Sequence, residues 1–555
     1  MQARQYKIRS ALLFVGLFLV YASLTLRLVH LHTYGRKRLL DYADSQYNVT
    51  LTTYPERAHI LDRNRHRLVT NKKSSTAFII PSKIEQPDKL NLILKKHFPV
   101  AYKRLQKANK KSCHFIYVAR RLTSQQLNIL EQAQCPDIHY LQEPSRFCHH
   151  PSAGSIVGLV DIDGKGVCGI EWARNKQLAG SPTTKILQKD ARSRNYYFKE
   201  LESIEGKAPD PVYLTIDSQV QFLVQEELEA AASKWKAELA MAVVMDPKTG
   251  EIIAMAQNPT FDPNNTRTLN IGQTKHTVIS DAYELGSVVK IFVALAALEE
   301  ELVTPDEPIN CQFTEEGRVH GRPVNTWRAD GIIPFSEVIQ ASNNIGTVIV
   351  AFRLGKHLYD HYKRLGFSQP TGIELPGQQV GFVTAPERWS KQSLVSLAFG
   401  YEIRSSLLQL ARAFSLFING GKLIKPHVIQ NDSLMMSNLA QPQLYSNRAL
   451  QQMRQILRQT IESGTARRGR ITGYTVMGKT GTANLVVNKK YSQEHNIYTF
   501  TGSIEQGDYA RVIVVSIKNI VDNKEHLFAS TVAVPLFRSI AEKLVVHDRI
   551  VSHKA

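Results

Sequence analysis

Cysteine is scarce in this chain: Cys113, Cys135, Cys148, Cys168 and Cys311 are the five in 555 residues. An odd number leaves at least one thiol unpaired within a monomer, so a dense disulfide framework is excluded as the basis of the fold. No second ligand pair with zinc spacing accompanies Cys148-His149-His150, and neither a metal nor another cofactor is expected. Internal repeats and long low-complexity stretches are missing, which excludes a solenoid. Acidic residues are outnumbered 49 to 69 by Lys and Arg, for a formal charge of +20. The basic residues are spread along the chain without a nucleic-acid motif. That balance fits an anionic membrane surface or an acidic ligand better than nucleic acid. The densest cluster, Lys95, Lys96, Lys103, Arg104, Lys107, Lys110 and Lys111, reads as a solvated helical face.

Long apolar runs are also rare. The exception is the uncharged stretch from Ser10 to Leu26 between Arg9 and Arg27, just long enough to span a bilayer if Arg27 snorkels to the interface. It continues past Val20-Tyr21-Ala22 without a polar segment and is read as a retained anchor rather than a cleaved signal. Arg4, Lys7 and Arg9 on one side nearly balance Arg27, Arg36, Lys37 and Arg38 on the other, so basic flanks alone do not orient it.

What the sequence does contain is three short strings in order: Ser287-Val288-Val289-Lys290, Ser342-Asn343-Asn344 and Lys479-Thr480-Gly481. Each arises by chance in many long proteins, with Ser287 then an ordinary helix cap, Ser342 a turn residue and Lys479 a solvated charge. Their order and context favour a serine acyl-transfer site. Ser287 opens the run Ile291 to Leu298, too uniformly apolar for a surface helix and expected as a buried central one. Lys290, one turn on, projects from the same face, so its amine can reach the serine hydroxyl. Acting as a base requires its pKa to fall by about three units, roughly 4 kcal/mol, which burial and a second cation, Lys479, would supply. Lys479-Thr480-Gly481-Thr482 follows a β-prone run. Thr480 and Thr482 share a strand face where both hydroxyls can meet a substrate carboxylate, and Lys479 is out of phase with them. Ser342 would relay a proton to a leaving amine, and Asn344 would hold Lys290 or a substrate amide.

At 555 residues two or three domains are expected. The division reads as residues 1–31, a cytoplasmic tail and transmembrane anchor; 32–211, a non-catalytic pedestal of mixed α/β character; and 212–555, the catalytic domain. Asp217 is a candidate N-cap for a helix burying Val220, Val224, Leu228 and Ala231. Strands from Ala240 to Met245 and from Glu251 to Gln257 flank Pro247-Lys248-Thr249-Gly250, a type I turn signal. Helix, hairpin and buried helix together predict an α/β (α+β) domain with an antiparallel sheet and helices around a buried central helix.

The three strings follow the pattern of penicillin-binding proteins and class A β-lactamases, where the middle string usually carries aspartate in place of Asn343. The chain resembles a class B penicillin-binding protein, the monofunctional peptidoglycan D,D-transpeptidase, and most nearly its cell-division type. Gly464-Thr465-Ala466 through Gly478-Lys479-Thr480-Gly481-Thr482-Ala483 is similar to the family's approach to its third motif. Leu397 to Tyr401, Asn419-Gly420-Gly421 and Val532 to Phe537 are similar to other family passages. Arg57 to Asn64 and Gly169-Ile170-Glu171 resemble motifs of the pedestal. The chain departs from the pattern at Ala58, Arg65, Leu285 and Ser405-Ser406, and no departure removes a catalytic side chain.

The resemblance implies that Ser287 attacks the bond between two terminal D-alanines of a stem peptide, and that an amine of a neighbouring stem takes the acyl group. The backbone N–H groups of Ser287 and Thr482 would receive the oxyanion, with Lys290, Ser342, Asn344 and Lys479 catalytic and Thr480, Gly481 and Thr482 binding substrate. It further implies inhibition by β-lactams, partners among membrane division proteins including a peptidoglycan glycosyltransferase, and a single-pass protein of the inner membrane with its catalytic domain outside. The alternatives are a D,D-carboxypeptidase or β-lactamase-like hydrolase, and a catalytically silent division scaffold or β-lactam sensor. No hydrolytic glutamate stands out. Glu374, the nearest in order, reads as a surface turn carboxylate.

Overall fold

The computed structural model describes the backbone of residues 2–108, 115–188, 199–266, 269–312, 318–324, 330–488, 490–520 and 527–550. The chain divides into two compact units, one of Met1–Glu56 with Ala179–Pro209 and one of Arg57–Leu178 with Asp210–Ala555.

In the first unit, helix α1 (Gln2–His32) contains the apolar run, and its window has a mean hydropathy of 2.2 with no side chain buried in protein. It is the one helix among the described residues long and apolar enough to cross a membrane. A strand at Asn48–Thr53 pairs antiparallel with Thr183–Gln188, which pairs with Lys199–Ile204.

In the second unit, the strand Arg67–Ile79 pairs antiparallel with His139–Cys148 and Ile116–Ala119. Leu90, Ile93 and Leu94 pack from the helix Pro87–His97 into the same small core. On the outside of this region Lys95, Lys96, Lys103, Arg104 and Lys107 are exposed, as a solvated face requires. Lys110, Lys111 and Cys113 lie outside the described residues. Cys135, Cys148, Cys168 and Cys311 are all unpaired thiols.

The remainder of this unit is built on one antiparallel sheet. Helix α2 (Ser218–Trp235) begins where Asp217 accepts the N–H groups of Gln219 at 3.0 Å and Val220 at 3.2 Å, satisfying two donors the helix leaves open. Strands β1 (Ala237–Met245) and β2 (Ile252–Asn258) form the expected hairpin, but its turn is wider than a type I turn. Gly250 N–H reaches Asp246 O at 3.0 Å, and the Asp246 carboxylate accepts the N–H groups of Lys248 and Thr249. Pro247 has no N–H to offer, and Gly250 closes the loop at φ +83°.

After these come helices α3 (Lys290–Glu299) and α4 (Asn344–Leu354), strands β3 (Thr475–Val487), β4 (Lys490–Gln506) and β5 (Tyr509–Ile520), and helix α5 (Ala529–His547). The strand order is β2-β1-β5-β4-β3, antiparallel throughout. The period of two sorts side chains between two cores. Leu239, Met241, Val243 and Met245 face the core that contains α3, while Ala240, Ala242 and Val244 face Val224 and Leu228 of α2 and Phe537 and Ile540 of α5. The result is helices on both faces of the sheet. Every residue from Lys290 to Leu298 is buried, which explains the missing polar stripe of α3.

Candidate active site

Ser287 lies in a 3₁₀ turn, Gly286–Val289, that leads into α3. Its side chain is partly exposed. The turn is pressed between two backbones. Gly286 stands at φ +56°, and a Cβ there would lie 2.6 Å from Thr482 O. Gly400 stands at φ +95° with Gly286 N 2.5 Å from the position of its absent Cβ. Gly481 is equally constrained, with Leu285 O at 2.8 Å and Val288 N at 2.9 Å. Glycine at these positions lets β3 and the 400 loop approach the serine turn more closely than any side chain permits.

Lys290 is fully buried. Its amine donates to Ser342 O at 2.6 Å, Ser342 Oγ at 3.3 Å and Asn344 Oδ1 at 2.5 Å. Ser287 and Lys290 lie one turn apart, yet no hydrogen bond joins them. The amine is drawn instead to the Ser342 turn. Ser342 itself is held at φ +59°, an uncommon backbone region for a residue with a Cβ. Asn343 caps α4 by accepting Gly346 N–H at 3.0 Å, which leaves Asn344 in the first turn facing Lys290.

Lys479 was out of phase with its neighbouring threonines along the strand, and the structure explains how it still reaches the site. It is fully buried on the inner side of β3, and its amine donates to Ser342 Oγ at 2.9 Å and to Thr480 O at 3.0 Å. Ser342 Oγ therefore links the two lysines. Burial, and then the charge of Lys479, hold the Lys290 pKa well below the ordinary lysine value. Burial brings Lys479 down to about 7. Both shifts follow from removing an ammonium from water with only neutral oxygens to receive it.

Thr480 Oγ1 lies 3.2 Å from Thr465 Oγ1, and Thr482 Oγ1 accepts Ala529 N–H at 3.2 Å. Thr465 had no assigned role in the sequence reading; its position in Gly464-Thr465-Ala466 was the only signal. Among the described residues β3 pairs with β4 alone, so its other edge makes no strand pairing. A cavity of about 690 Å³ lies along the C-terminal end of β3, lined by Tyr283, Glu284, Arg404 and Asn484 to Val487, and includes none of the side chains bonded to Ser342. Glu374 is a correction to the sequence reading. It is partly buried and accepts Val428 N–H at 3.0 Å, tying two loops together, because that backbone donor would otherwise be unsatisfied. Among the described residues no group of three or more His, Cys, Asp or Glu is placed to hold a metal ion.

Residues 240–542 match the penicillin binding protein transpeptidase domain, and residues 52–214 match the penicillin-binding protein dimerisation domain. The chain belongs to the penicillin-binding protein transpeptidase family. Relatives of this penicillin-binding protein include stage V sporulation protein D of Bacillus subtilis, 29% identical over 97% of this chain and 86% of the relative. Another is the probable peptidoglycan D,D-transpeptidase PenA of Neisseria meningitidis, 26% identical over 96% and 91%. A third is the peptidoglycan D,D-transpeptidase FtsI of Escherichia coli, 28% identical over 74% and 69%. In fold it is similar to a peptidoglycan synthetase from Bifidobacterium adolescentis, with a TM-score of 0.70, 20% identity and coverage of 92% and 98%. Penicillin binding protein 3 of Mycobacterium tuberculosis, solved with aztreonam, gives 0.67, 24% identity and coverage of 91% and 98%.

Proposed function

We propose that this penicillin-binding protein is a serine D,D-transpeptidase that cross-links peptidoglycan stem peptides, in septal synthesis, through an acyl-enzyme on Ser287. The observation that carries this reading is the single hydrogen-bonded group of Lys290, Ser342, Asn344 and Lys479 one turn from a partly exposed serine. With Lys290 uncharged, Ser287 Oγ–H gives its proton to Lys290 Nζ as Oγ bonds to the carbonyl carbon between two D-alanines. The backbone N–H groups of Ser287 and Thr482 receive the oxyanion. As the C–N bond breaks, Ser342 Oγ–H protonates the leaving D-alanine amine and is reprotonated by Lys290, which gives up the proton it took from Ser287. An acceptor amine then attacks the ester by the reverse path, and its proton returns to Ser287 Oγ. Lys479 remains charged, and with Thr480, Gly481 and Thr482 it holds the terminal carboxylate along the free edge of β3.

Hydrolysis is the runner-up reaction. It requires a base that drives water onto the acyl-enzyme. Glu374 is committed to a backbone donor, which favours aminolysis. β-Lactams would acylate Ser287 and their adduct would persist. The names of the relatives extend the reading. We assign residues 1–31 as cytoplasmic tail and anchor, 32–211 as a pedestal and 212–555 as the catalytic domain outside the inner membrane, with division proteins and a peptidoglycan glycosyltransferase as partners.

The test is covalent labelling of the purified protein by a fluorescent penicillin, with Ser287→Ala as control. A stable band on the parent and none on the variant is expected. An unlabelled parent would end the reading, rapid loss of label would turn it to a hydrolase, and equal labelling of the variant would move the nucleophile elsewhere.

A further inference from the structure

Asn343 sits between two residues of the site, yet its buried side chain bonds Asp330 and Gly346 rather than either lysine. It is 1% exposed. Its Nδ2 donates to Asp330 Oδ2 at 2.8 Å and its Oδ1 accepts Gly346 N–H at 3.0 Å. Its backbone is equally committed, with N–H to Val338 O at 2.8 Å and O accepting Thr347 Oγ1 at 2.8 Å. Asp330 comes from a separate segment that is fixed behind α4. The neighbouring Gly331 accepts Cys311 N–H at 2.7 Å, and Cys311 Sγ lies 2.8 Å from the position of the absent Cβ of Gly346.

An amide has two ends of nearly equal size and opposite polarity. If the Asn343 amide flipped, Nδ2 would face Gly346 N–H, donor against donor, and the cap on α4 would be lost. A carboxylate accepts and never donates when ionised, so Asp330 permits only the orientation that keeps the cap. The adjacent Ser342, with its unfavourable positive φ, depends on that cap, and through Ser342 O and Oγ so does the placement of both lysine amines.

We propose that Asp330 is a positioning residue for the acylation centre, acting through Asn343 to hold Ser342 and Asn344 against Lys290 and Lys479. The second string is commonly written Ser-Asp-Asn, with an acid at its middle. In this chain the middle residue is an amide, and the acid stands at the other end of the same hydrogen bond. Exchanging the two therefore conserves the bond, the charge and the shape.

This inference rests on the transpeptidase reading and is tested on the full chain in detergent, with the rate constant of acylation by a fluorescent penicillin measured against pH. Asp330→Ala slows acylation about tenfold or more, with initial binding little changed. Asn343→Asp alone sets two carboxylates at hydrogen-bond distance, so one must keep a proton. Its acylation, taken relative to the parent at each pH, falls as pH rises and that shared proton is lost, a limb the parent lacks. Titratable groups near the pair include the Cys311 thiol, raised to about 11 by burial and then by Asp330, and the two lysines bonded to Ser342. The exchange variant, Asp330→Asn with Asn343→Asp, returns to within about threefold of the parent rate and loses that limb. Asp330→Ala at the parental rate and profile overturns the proposal, as does an exchange variant no faster than Asn343→Asp. If Asp330→Ala fails to fold, the exchange variant, isosteric at both sites, still decides. A parent that takes no label removes the transpeptidase reading itself.

Discussion

Two groups of buried cations lie in the same compact unit and are held in opposite ways. In the first, Arg57 and Arg146 share one carboxylate. Glu171 Oε2 meets Arg57 Nε at 2.5 Å and Oε1 meets Arg146 Nη2 at 2.7 Å, with all three side chains no more than 10% exposed. In the second, Lys290 and Lys479 share a hydroxyl, and among the described residues no carboxylate is bonded to either. Burial pushes the pKa of Arg146 down while Glu171 pushes it back up, so the charge stays. The lysines have no such compensation and fall toward neutrality. A guanidinium paired with a carboxylate fixes structure; an amine left with neutral acceptors is free to exchange a proton. On the proposed transpeptidase mechanism, the absence of a bonded acid beside the lysines is a functional feature, bearing the cost that the first group avoids.

The comparison breaks first at Glu171. Glu171→Ala leaves two buried guanidinium groups without their acceptor, and the loss is about 3–5 kcal/mol of stability. Denaturant unfolding should show this, while the penicillin acylation rate of the molecules that remain folded changes little. A large fall in acylation at unchanged stability would mean that the two groups are not separable in role.

Lys479→Met acts in the opposite sense. Labelling of Ser287 is expected to disappear, because the proposed carboxylate anchor and the second bond to Ser342 Oγ are gone. Stability should rise, by about 1–4 kcal/mol at neutral pH. The sign follows from the pKa. The folded value of about 7 lies below the ordinary 10.5, so folding disfavours the ammonium form. The destabilisation grows as pH falls from the unfolded value toward the folded one and is complete below it. The gain from methionine is thus largest in acid and vanishes in strong alkali. In the parent, acylation against pH should be bell-shaped. The acid limb marks deprotonation of Lys290 and the alkaline limb, near 7, marks loss of the Lys479 charge, both as properties of the coupled pair. Lys479→Arg should remove the alkaline limb. Its persistence would assign that limb to another group.

Gly481→Ala tests geometry rather than charge. The added methyl has Leu285 O at 2.8 Å and Val288 N at 2.9 Å, so β3 must withdraw from the serine turn. Losing the alignment of one oxyanion donor costs about 10²–10³ in rate in other serine enzymes, and a fall of about 10² in acylation is expected here. An unchanged rate would show that the turn and strand are less closely coupled than their packing indicates.

How much of this was visible in the sequence depended on whether the physics was local. Ser287 and Lys290 lie one turn apart, Asp217 caps the helix it adjoins, and α3 lacks a polar face because both of its sides are buried; each is legible within a few residues. The pedestal motifs around Arg57 and Glu171 were recognised separately, but that they form one ion-pair group 114 residues apart in the chain is a tertiary fact. Lys479 looked misdirected because strand alternation gives the direction of Cβ, not the reach of a four-carbon stem. Asp330 carries no local pattern at all. Glu374 was misread because nothing nearby in sequence indicates that Val428 would present it with an N–H group.

The smallest expected effect concerns Thr465, which resemblance placed near the site without a role. Its hydroxyl lies 3.2 Å from that of Thr480, on the strand that carries Lys479. Thr465→Val keeps the shape and removes the partner. If the hydroxyl orients Thr480 toward the substrate carboxylate, the loss is that of one neutral hydrogen bond, about 1 kcal/mol, or roughly fivefold. The fall should be confined to ligands that carry the carboxylate, since only those use Thr480. Comparing acylation by a penicillin and by its methyl ester separates the possibilities. An equal loss for both would make Thr465 a packing residue, and a loss for the free acid alone would place it behind the proposed carboxylate grip of Lys479 and Thr480.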